Sequence, residues 1–412
     1  MEEQSAKNQT SAQRFILLTV FIYSVGFGII MPALPDLIRE LEGISLSEAT
    51  AMGAWIGATY SIFQFLCGPM VGNLGDRFGR RPVFLFSLFF FGLDFLLMGF
   101  APSVIWLFIG RGLAGGLGAI FGPANAAMAD MTESDGRAAA FGKVGAAFGI
   151  GFIVGPAIGG LLGDFGTRIP FFVAGVLAMA NCVYGYFVFP ETMREEDRRP
   201  FSWQRANPLG ALKSLGKIPA ILPVALIYFL WSWGGQVYPA SWSFFAQAQY
   251  GWDVKMVGFS LTIVGISMAI VQALIIGRAV KRFGERKTAM IGMVSGIIGF
   301  IALAFISNGT IALAVVLFTG LQGMAMPALN AMMSRRTPPG QQGELQGLNG
   351  SMAALSLLIA QLLFNNVLAH YTSEANPVFF PGATFLVAAA IAVVALIALL
   401  LLPKADAEEG GV

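Results

Sequence analysis

Charged residues are scarce in this sequence of 412 residues, where Asp, Glu, Lys and Arg together make up 12%. Soluble globular proteins carry about 25% charged residues, so the composition argues against a chain that folds in water. The net charge is only +2, which does not suggest a nucleic-acid partner. With a single histidine and two cysteines there is no metal-ligand cluster, and no nucleotide-binding loop or nucleophile–base pair is visible. We therefore expect neither an enzyme nor a metal or other cofactor.

Apolar residues dominate instead, at 56% of the chain, and the mean hydropathy is +0.72. A membrane-spanning helix needs about 20 predominantly apolar residues, and twelve such stretches are present. The sequence thus predicts an all-α membrane protein. The twelve predicted spans are 14–36, 50–73, 82–101, 103–129, 138–163, 169–190, 218–246, 254–280, 288–307, 310–335, 343–369 and 377–402.

Lys and Arg are distributed unequally over the connections between these spans. Alternate connections and the two chain ends hold 21 of the 25, whereas the opposite side holds only Arg39, Arg168 and Lys255. Because cytoplasmic loops are enriched in Lys and Arg, we expect both termini in the cytoplasm and an even number of spans. The remaining basic residue, Arg111, lies within a predicted span.

One charged motif occurs twice. "GNLGDRFGRRPV" at 72–83 matches "GRAVKRFGERKT" at 277–288, 205 residues further along the chain. Each copy joins the second and third spans of a six-span group. This predicts parallel repeats related by an axis along the membrane normal. The predicted domains are an N-terminal six-helix half at 1–190, a charged linker at 191–217 with a short interfacial helix at 207–216, and a C-terminal six-helix half at 218–412.

These motifs resemble those of the major facilitator superfamily. The stretch at 72–83 is similar to its motif after helix 2, "GRGLAGGLGA" at 110–119 to its helix 4 segment, and "GAAFGIGFIVGPAIGG" at 145–160 to the helix 5 motif of its drug:proton antiporter branch. "GFGIIMPALP" at 26–35, "GQVYPASW" at 235–242 and "MPALNAMMSRRTPPGQQGELQG" at 326–347 resemble tetracycline efflux proteins. The resemblance implies two six-helix halves related by a pseudo-two-fold axis, and export by alternating access.

The first motif copy is the predicted gate. Asp76 and Arg80 are four residues apart and can pair on a helix. The resemblance implies that Asp76 also faces the start of the eleventh helix, near Gln341–Glu344, and latches the two halves together. The alternative is that the arginines only set topology. Lys281 stands where Asp76 would be in the second copy, which favours an asymmetric gate. The gate residues are Gly72, Asp76, Arg77, Gly79, Arg80 and Arg81.

The fifth predicted span carries glycines every four residues, which places them on one face. Close helix packing is the simple explanation, and Pro156 predicts a bend. The functional alternative is that this face meets the eighth helix and acts as a rocking surface or seal. The residues are Gly151, Gly155, Gly159 and Gly163.

Two ionisable residues lie deep in predicted spans, where insertion costs roughly 2.5–3.5 kcal/mol each and usually reflects function. Asp94 is a candidate proton carrier, or else a neutral, hydrogen-bonded carboxyl. Arg111 could tune Asp94 or bind substrate; it could instead reach the outer interface, or pair with Asp36 or Asp164.

Cys67 and Cys182 lie in apolar segments and are expected to be free thiols.

The resemblance implies a substrate cavity lined mainly by helices 1, 4, 7 and 10. Its polar, aromatic and methionine side chains suit a bulky amphipathic compound better than a sugar. The candidates are Tyr23, Gln64, Asn125, Tyr228, Trp231, Trp233, Gln236, Met268, Gln272, Gln322 and Asn330.

Three positions depart from the tetracycline-type pattern. Tyr23 and Gly296 replace acidic residues of helices 1 and 9, and Met268 replaces a histidine of helix 8. The departures weaken the case for a metal–tetracycline chelate as substrate.

We expect a monomeric, multi-pass protein of the bacterial inner membrane, which exports a lipophilic drug in exchange for protons. The alternative is a transporter of a lipid or another amphipathic metabolite.

Overall fold

The computed structural model describes residues 2–118, 120–132, 137–203, 221–337 and 342–403, and within these ranges every regular element is a helix. The predicted all-helical membrane fold is confirmed. The interfacial helix predicted at 207–216 lies outside the described residues. Nine helices in the described ranges are long and apolar enough to cross a membrane: Thr10–Ile30, Arg80–Gly99, Val104–Asp130, Ala140–Gly163, Ile169–Val188, Val254–Phe305, Gly309–Arg335, Leu348–Thr372 and Ala383–Leu401.

Twelve spans were predicted, and the three that do not appear as separate helices among these nine are also helical. Val254–Phe305 contains two spans, because the backbone at Gly284 is not helical, with φ 77° and ψ 169°. Leu46–Phe78 is 33 residues long but less apolar. The seventh span is divided into Leu222–Gly235 and Val237–Tyr250, each too short to cross a bilayer alone. All twelve predicted segments thus correspond to helices in the described part of the chain.

We number the spans 1 to 12 in chain order. Short helices outside the spans are Leu34–Glu42, which follows span 1, and the 3-10 turn Glu195–Asp197. Spans 1 to 3 are Glu2–Ile30, Leu46–Phe78 and Arg80–Gly99, span 4 is Val104–Leu117 with Phe121–Asp130, and spans 5 and 6 are Arg137–Gly163 and Ile169–Val188. Span 7 is Leu222–Gly235 with Val237–Tyr250, span 8 is Val254–Ile270 with the π-helical turn Val271–Ile275, and span 9 is the part of Ile276–Phe305 after Gly284. Span 10 is Gly309–Thr319, the 3-10 turn Gly320–Met324 and Ala325–Arg335, and spans 11 and 12 are Gln342–Thr372 and Ala383–Leu401.

Spans 4, 7 and 10 are interrupted at matching places. In each of them a proline is the third residue of the helix that follows the interruption: Pro123, Pro239 and Pro327. Proline has no backbone N–H, and its ring clashes with the carbonyl four residues before it. A continuous α-helix through these positions is therefore disfavoured.

The chain forms two compact units. Unit 1 comprises Met1–Gly43, Thr59–Pro208 and Val254–Thr262, and unit 2 comprises Ile44–Ala58, Leu209–Asp253 and Ile263–Val412. The first part of span 2 thus belongs to unit 2, and the first part of span 8 belongs to unit 1. The division into two six-helix halves at 191–217 stays a prediction.

The glycine stripe of span 5 contacts two different partners inside unit 1. A Cβ atom on Gly151, Gly155 or Gly159 would collide with backbone carbonyls of span 1. Gly163 is the glycine of the stripe that contacts span 8, where its partner is the side chain of Val254. Span 8 also meets span 5 at Pro156, whose carbonyl oxygen would collide with a Cβ atom on Gly258. The alternative that the helix face meets the eighth helix therefore holds at Gly163 and Pro156, whereas the other three glycines give span 1 its close approach.

Candidate functional site

Asp94 of span 3 and Arg111 of span 4 form a buried ion pair in unit 1. Arg111 Nε donates to Asp94 Oδ1 at 3.2 Å, and Nη2 donates to Oδ2. Asp94 is 0% exposed and Arg111 is 5% exposed. Gly110 makes room for the carboxylate, because a Cβ atom there would come within 2.6 Å of Asp94 Oδ1. The pair neutralises two charges that would each be costly alone in the membrane.

This geometry decides between the alternatives for Arg111. Asp36 lies 3.8 Å from Arg39, and Asp164 lies 3.1 Å from Lys255. Arg111 contacts neither acid and is too deeply buried to reach the outer interface. Of the partners considered from the sequence, Asp94 is the one that Arg111 contacts.

A tyrosine pair lies next to the ion pair. The hydroxyl groups of Tyr23 and Tyr60 are 2.9 Å apart, and Gln64 Nε2 donates to the Tyr60 hydroxyl at 3.3 Å. The Arg111 guanidinium lies 5.5 Å from the centre of the Tyr60 ring and 5.6 Å from that of Phe95. Aromatic faces at this distance stabilise a cation. The network thus joins two predicted cavity residues to the ion pair.

Tyr60 was missed by reasoning from the sequence. The available signal was its position four residues before Gln64 on the same helix, which places the two side chains on one face. Tyr60 is 6% exposed, and Tyr23 is also 6% exposed. Their hydroxyl groups are therefore satisfied by each other inside unit 1.

The predicted gate motif forms a chain of ion pairs. Arg80 Nη1 lies 2.8 Å from Asp76 Oδ1, as the four-residue spacing predicts, and Arg80 Nε lies 2.8 Å from Asp130 Oδ2 at the end of span 4. The predicted partner of Asp76 at the start of span 11 involves side chains outside the described residues. The backbone carbonyl of Asp76 also accepts a hydrogen bond from the backbone N–H of Arg199 in the linker, at 2.9 Å.

Glu191 caps the N-terminus of span 3. Its carboxylate accepts the backbone N–H groups of Arg80 at 2.8 Å and Arg81 at 3.3 Å, which have no partner within the helix. A negative side chain at a helix N-terminus is also favoured by the helix dipole. The residue before this helix is Gly79, whose φ of 97° suits glycine alone.

The remaining arginines of the motif contact neighbouring side chains or helix ends. The Arg77 guanidinium lies 5.0 Å from the centre of the Phe78 ring. Arg81 Nη2 donates to the carbonyl of Tyr186 in the last turn of span 6, at 2.6 Å. In the second copy, Arg286 Nη2 donates to the carbonyl of Leu402 at the end of span 12, at 2.7 Å. Both repeats therefore use the matching arginine to bind the C-terminal carbonyls of their sixth span.

One ion pair of the gate recurs in unit 2 with its charges reversed. Glu285 Oε1 lies 2.8 Å from Arg335 Nη2. These residues are 205 positions after Arg80 and Asp130, the same offset that separates the two motif copies. The same two helix ends are thus joined in each repeat, but the basic and acidic partners have exchanged places.

The other cavity candidates are divided between the two units. Asn125 is half-buried in unit 1. In unit 2, Tyr228 and Trp231 are buried, while Trp233 and Gln236 are half-buried. Met268 and Gln272 lie near Gly323. Asn330 Oδ1 accepts from Asn349 Nδ2 at 2.8 Å, which joins span 10 to span 11.

Trp231 occupies the space beside Gly296. A Cβ atom on Gly296 would lie 2.6 Å from the Trp231 ring and 3.2 Å from Gln322 Cβ. Gln322 is 5% exposed, and its Nε2 has no hydrogen-bond partner in the described part of the chain. The position where the tetracycline-type pattern has an acidic side chain is thus filled by an indole, next to an unsatisfied amide donor.

Within the described residues, the apolar helical spans, the duplicated charged motif and the buried Asp94–Arg111 pair define a multi-pass membrane transporter. The family model of the Major Facilitator Superfamily matches residues 16–361, and it matches again over 237–411. The chain belongs to this superfamily, whose members transport solutes and are not enzymes.

The curated relatives include resistance proteins. The chain is 37% identical over 384 residues to the tetracycline resistance protein, class C, of Escherichia coli, which covers 93% of this chain and 95% of the relative. It is 28% identical to multidrug resistance protein 2 of Bacillus subtilis, over 88% of this chain and 90% of the relative. The crystal structure of the human organic anion transporter MFSD10 has the same fold, with 20% identity, a TM-score of 0.71 and coverage of 95% and 99%.

Proposed function

We propose that this transporter exports lipophilic, amphipathic drugs of the tetracycline or multidrug kind in exchange for protons. The observation that carries the proposal is the buried Asp94–Arg111 pair. Asp94 is the one acidic residue in the middle of a predicted span, and it has a cationic partner whose attraction disappears when the carboxylate takes up a proton. Proton binding would thereby change the contacts between spans 3 and 4, which a transporter can couple to alternating access.

The tyrosine pair supports this coupling role. When Asp94 is protonated, Arg111 keeps the faces of Tyr60 and Phe95 as partners. The cation therefore has a place to remain while the carboxyl is neutral. Tyr23 and Gln64, both proposed to contact substrate, connect to this centre by hydrogen bonds.

The proposed substrate is bulky and partly aromatic, as the tryptophans of span 7 and the amide of Gln322 suggest. Gln322 can donate a hydrogen bond to a carbonyl or hydroxyl oxygen of the substrate. Because Tyr23, Met268 and Gly296 replace titratable side chains of the tetracycline-type pattern, we favour a drug carried without a metal ion. The relatives named as tetracycline and multidrug resistance proteins support this substrate range.

The gate at 72–83 is proposed to close one side of the transporter. Asp76, Arg80 and Asp130 hold the ends of spans 2, 3 and 4 together, and the Asp76 carboxylate is the proposed latch. We propose further that the termini and this motif face the cytoplasm, as the Lys and Arg distribution indicates, and that the protein works as a monomer in the bacterial inner membrane.

Drug uptake into inverted membrane vesicles with an imposed pH gradient tests the proposal. Expression in a drug-sensitive bacterium should raise tolerance to tetracycline or other lipophilic drugs, and each such drug should collapse part of the pH gradient in vesicles. No drug-dependent proton movement, combined with proton-driven transport of a lipid in proteoliposomes, would contradict drug export and favour the alternative.

A further inference from the structure

A long apolar groove runs between spans 9 and 10 of unit 2. Its volume is about 860 Å³, and its residues include Ile291, Val294 and Ile298 of span 9 and Phe318 of span 10. These four side chains are between 41% and 71% exposed. The groove is therefore open on its outer side and does not belong to the Asp94–Arg111 centre, which lies in unit 1.

Small residues give the groove its depth. Ser295, Gly299 and Thr319 line it. A Cβ atom on Gly299 would collide with the Thr319 methyl group, so the two helices touch at the floor. Bulky side chains on either side then form walls along this contact. A slender, flexible hydrocarbon chain fits such a shape better than a second helix does.

Cations lie at one end of the groove. Lys287 lines it and is exposed. The guanidinium of Arg282 lies 5.4 Å from the ring centre of Phe283, which lines the same end. Glu285 is neutralised by its ion pair with Arg335. No acidic side chain in the described residues pairs with Lys287, so this end offers net positive charge.

The spacing of charge and apolar surface matches one leaflet. From Lys287 to Ile298 the helix rises about 16 Å, roughly half of the 30 Å hydrocarbon thickness of a bilayer. Basic pockets between helices on the cytoplasmic side bind anionic lipid head groups. We propose that the groove holds one anionic glycerophospholipid, with its phosphate at Lys287 and an acyl chain along Ile291, Val294 and Ile298. This is a bound structural lipid and not the transported substrate.

Native mass spectrometry of the full-length protein in detergent tests the site, with dioleoyl phosphatidylglycerol titrated against the phosphatidylcholine of the same chains. The parent should bind the anionic lipid more tightly. Lys287→Gln should weaken that preference about fivefold, the loss expected for one cation near an anionic lipid. Ser295→Phe, which fills the groove, should remove the same bound lipid. Lys143→Gln, an exposed cation of span 5 in unit 1, should bind like the parent.

The proposal is overturned if Lys287→Gln leaves the preference unchanged in folded protein, or if Ser295→Leu, a smaller groove filler, leaves the amount of bound anionic lipid unchanged. Equal binding of both lipids by the parent would also overturn it. So would competition by glycerophosphoglycerol alone at the concentration of the lipid, since the acyl chain would then contribute nothing. Transport activity is measured separately, so failure here leaves drug export untouched.

Discussion

The Arg111 guanidinium donates two hydrogen bonds to the Asp94 carboxylate, although the two residues lie on different spans and are almost inaccessible to solvent. Removing one partner of a buried pair leaves an uncompensated charge and costs about 3–5 kcal/mol. The pair therefore links the stability of unit 1 to the protonation of one carboxyl group. Mutants must separate the loss of stability from the loss of proton coupling.

Asp94→Asn should abolish proton-coupled drug uptake, because the amide cannot exchange a proton at working pH. It should also lower thermal stability by stranding the Arg111 charge. The double variant Asp94→Asn/Arg111→Gln should regain much of the stability but none of the coupling. Uptake in vesicles with an imposed pH gradient and unfolding in detergent measure the two effects. Retained pH-driven uptake in Asp94→Asn would exclude Asp94 as the proton carrier.

Asp76→Asn should slow turnover without removing substrate binding. The neutral amide keeps a hydrogen bond to Arg80 but loses the ionic attraction that strengthens it at 2.8 Å. Drug binding by the purified protein and transport rates in proteoliposomes give the two quantities. An unchanged transport rate would rule out a gating role for this carboxylate.

The two motif glycines offer a matched pair of alanine variants. Gly79 has φ 97° and ψ 162°, and Gly284 has φ 77° and ψ 169°. Alanine in this backbone region costs about 1–3 kcal/mol. A Cβ on Gly79 would also collide with the Glu191 carboxylate, whereas nothing lies within 4 Å of one on Gly284. Gly79→Ala should therefore lower the unfolding temperature more than Gly284→Ala. Equal losses would argue against the Glu191 cap.

Exchanging the charges of Glu285 and Arg335 should preserve their pair. Glu285→Arg or Arg335→Glu alone places like charges together, and each should destabilise by about 0.2–1 kcal/mol, the range for partly exposed pairs. The double variant should restore the parent stability in a double-mutant cycle. The equivalent exchange of Arg80 and Asp130 should fail, because it would set an acidic side chain at position 80 beside Asp76. Restoration in both repeats would show that the Asp76 contact is unimportant.

Glu40 gives a pH-dependent contribution outside the spans. Hydrogen bonding from Arg168, at 2.8 Å from Nε, holds the pKa of the Glu40 carboxyl below its ordinary range. The folded state therefore gains stability above the ordinary carboxyl pKa and loses it as pH falls through the lowered value. Glu40→Gln should make the acid dependence of the unfolding temperature shallower by a small amount. In an Arg168→Gln background the same substitution should have a smaller effect, which comes from the remaining hydrogen bond between Glu40 and the Thr167 side chain. An undiminished effect there would show that Arg168 is not the main partner.

Hydropathy, positive charge and repeat spacing are local properties of the chain, and they were sufficient to predict the helical membrane fold, the duplicated motif and the superfamily. The i, i+4 pair of Asp76 and Arg80 was predictable for the same reason. The exchange of charges between Arg80–Asp130 and Glu285–Arg335 could also have been found from its shared 205-residue offset.

Which helix faces meet could be seen from the three-dimensional structure but not from the sequence. In the structure Arg111 pairs with Asp94, where the sequence left several alternatives open, and Tyr60 lies beside that pair. Three glycines of span 5 face span 1. The structure also identified Glu191 as the cap of span 3. Such choices depend on the rotation of each helix about its axis, and a uniformly apolar helix carries little sequence signal for that rotation.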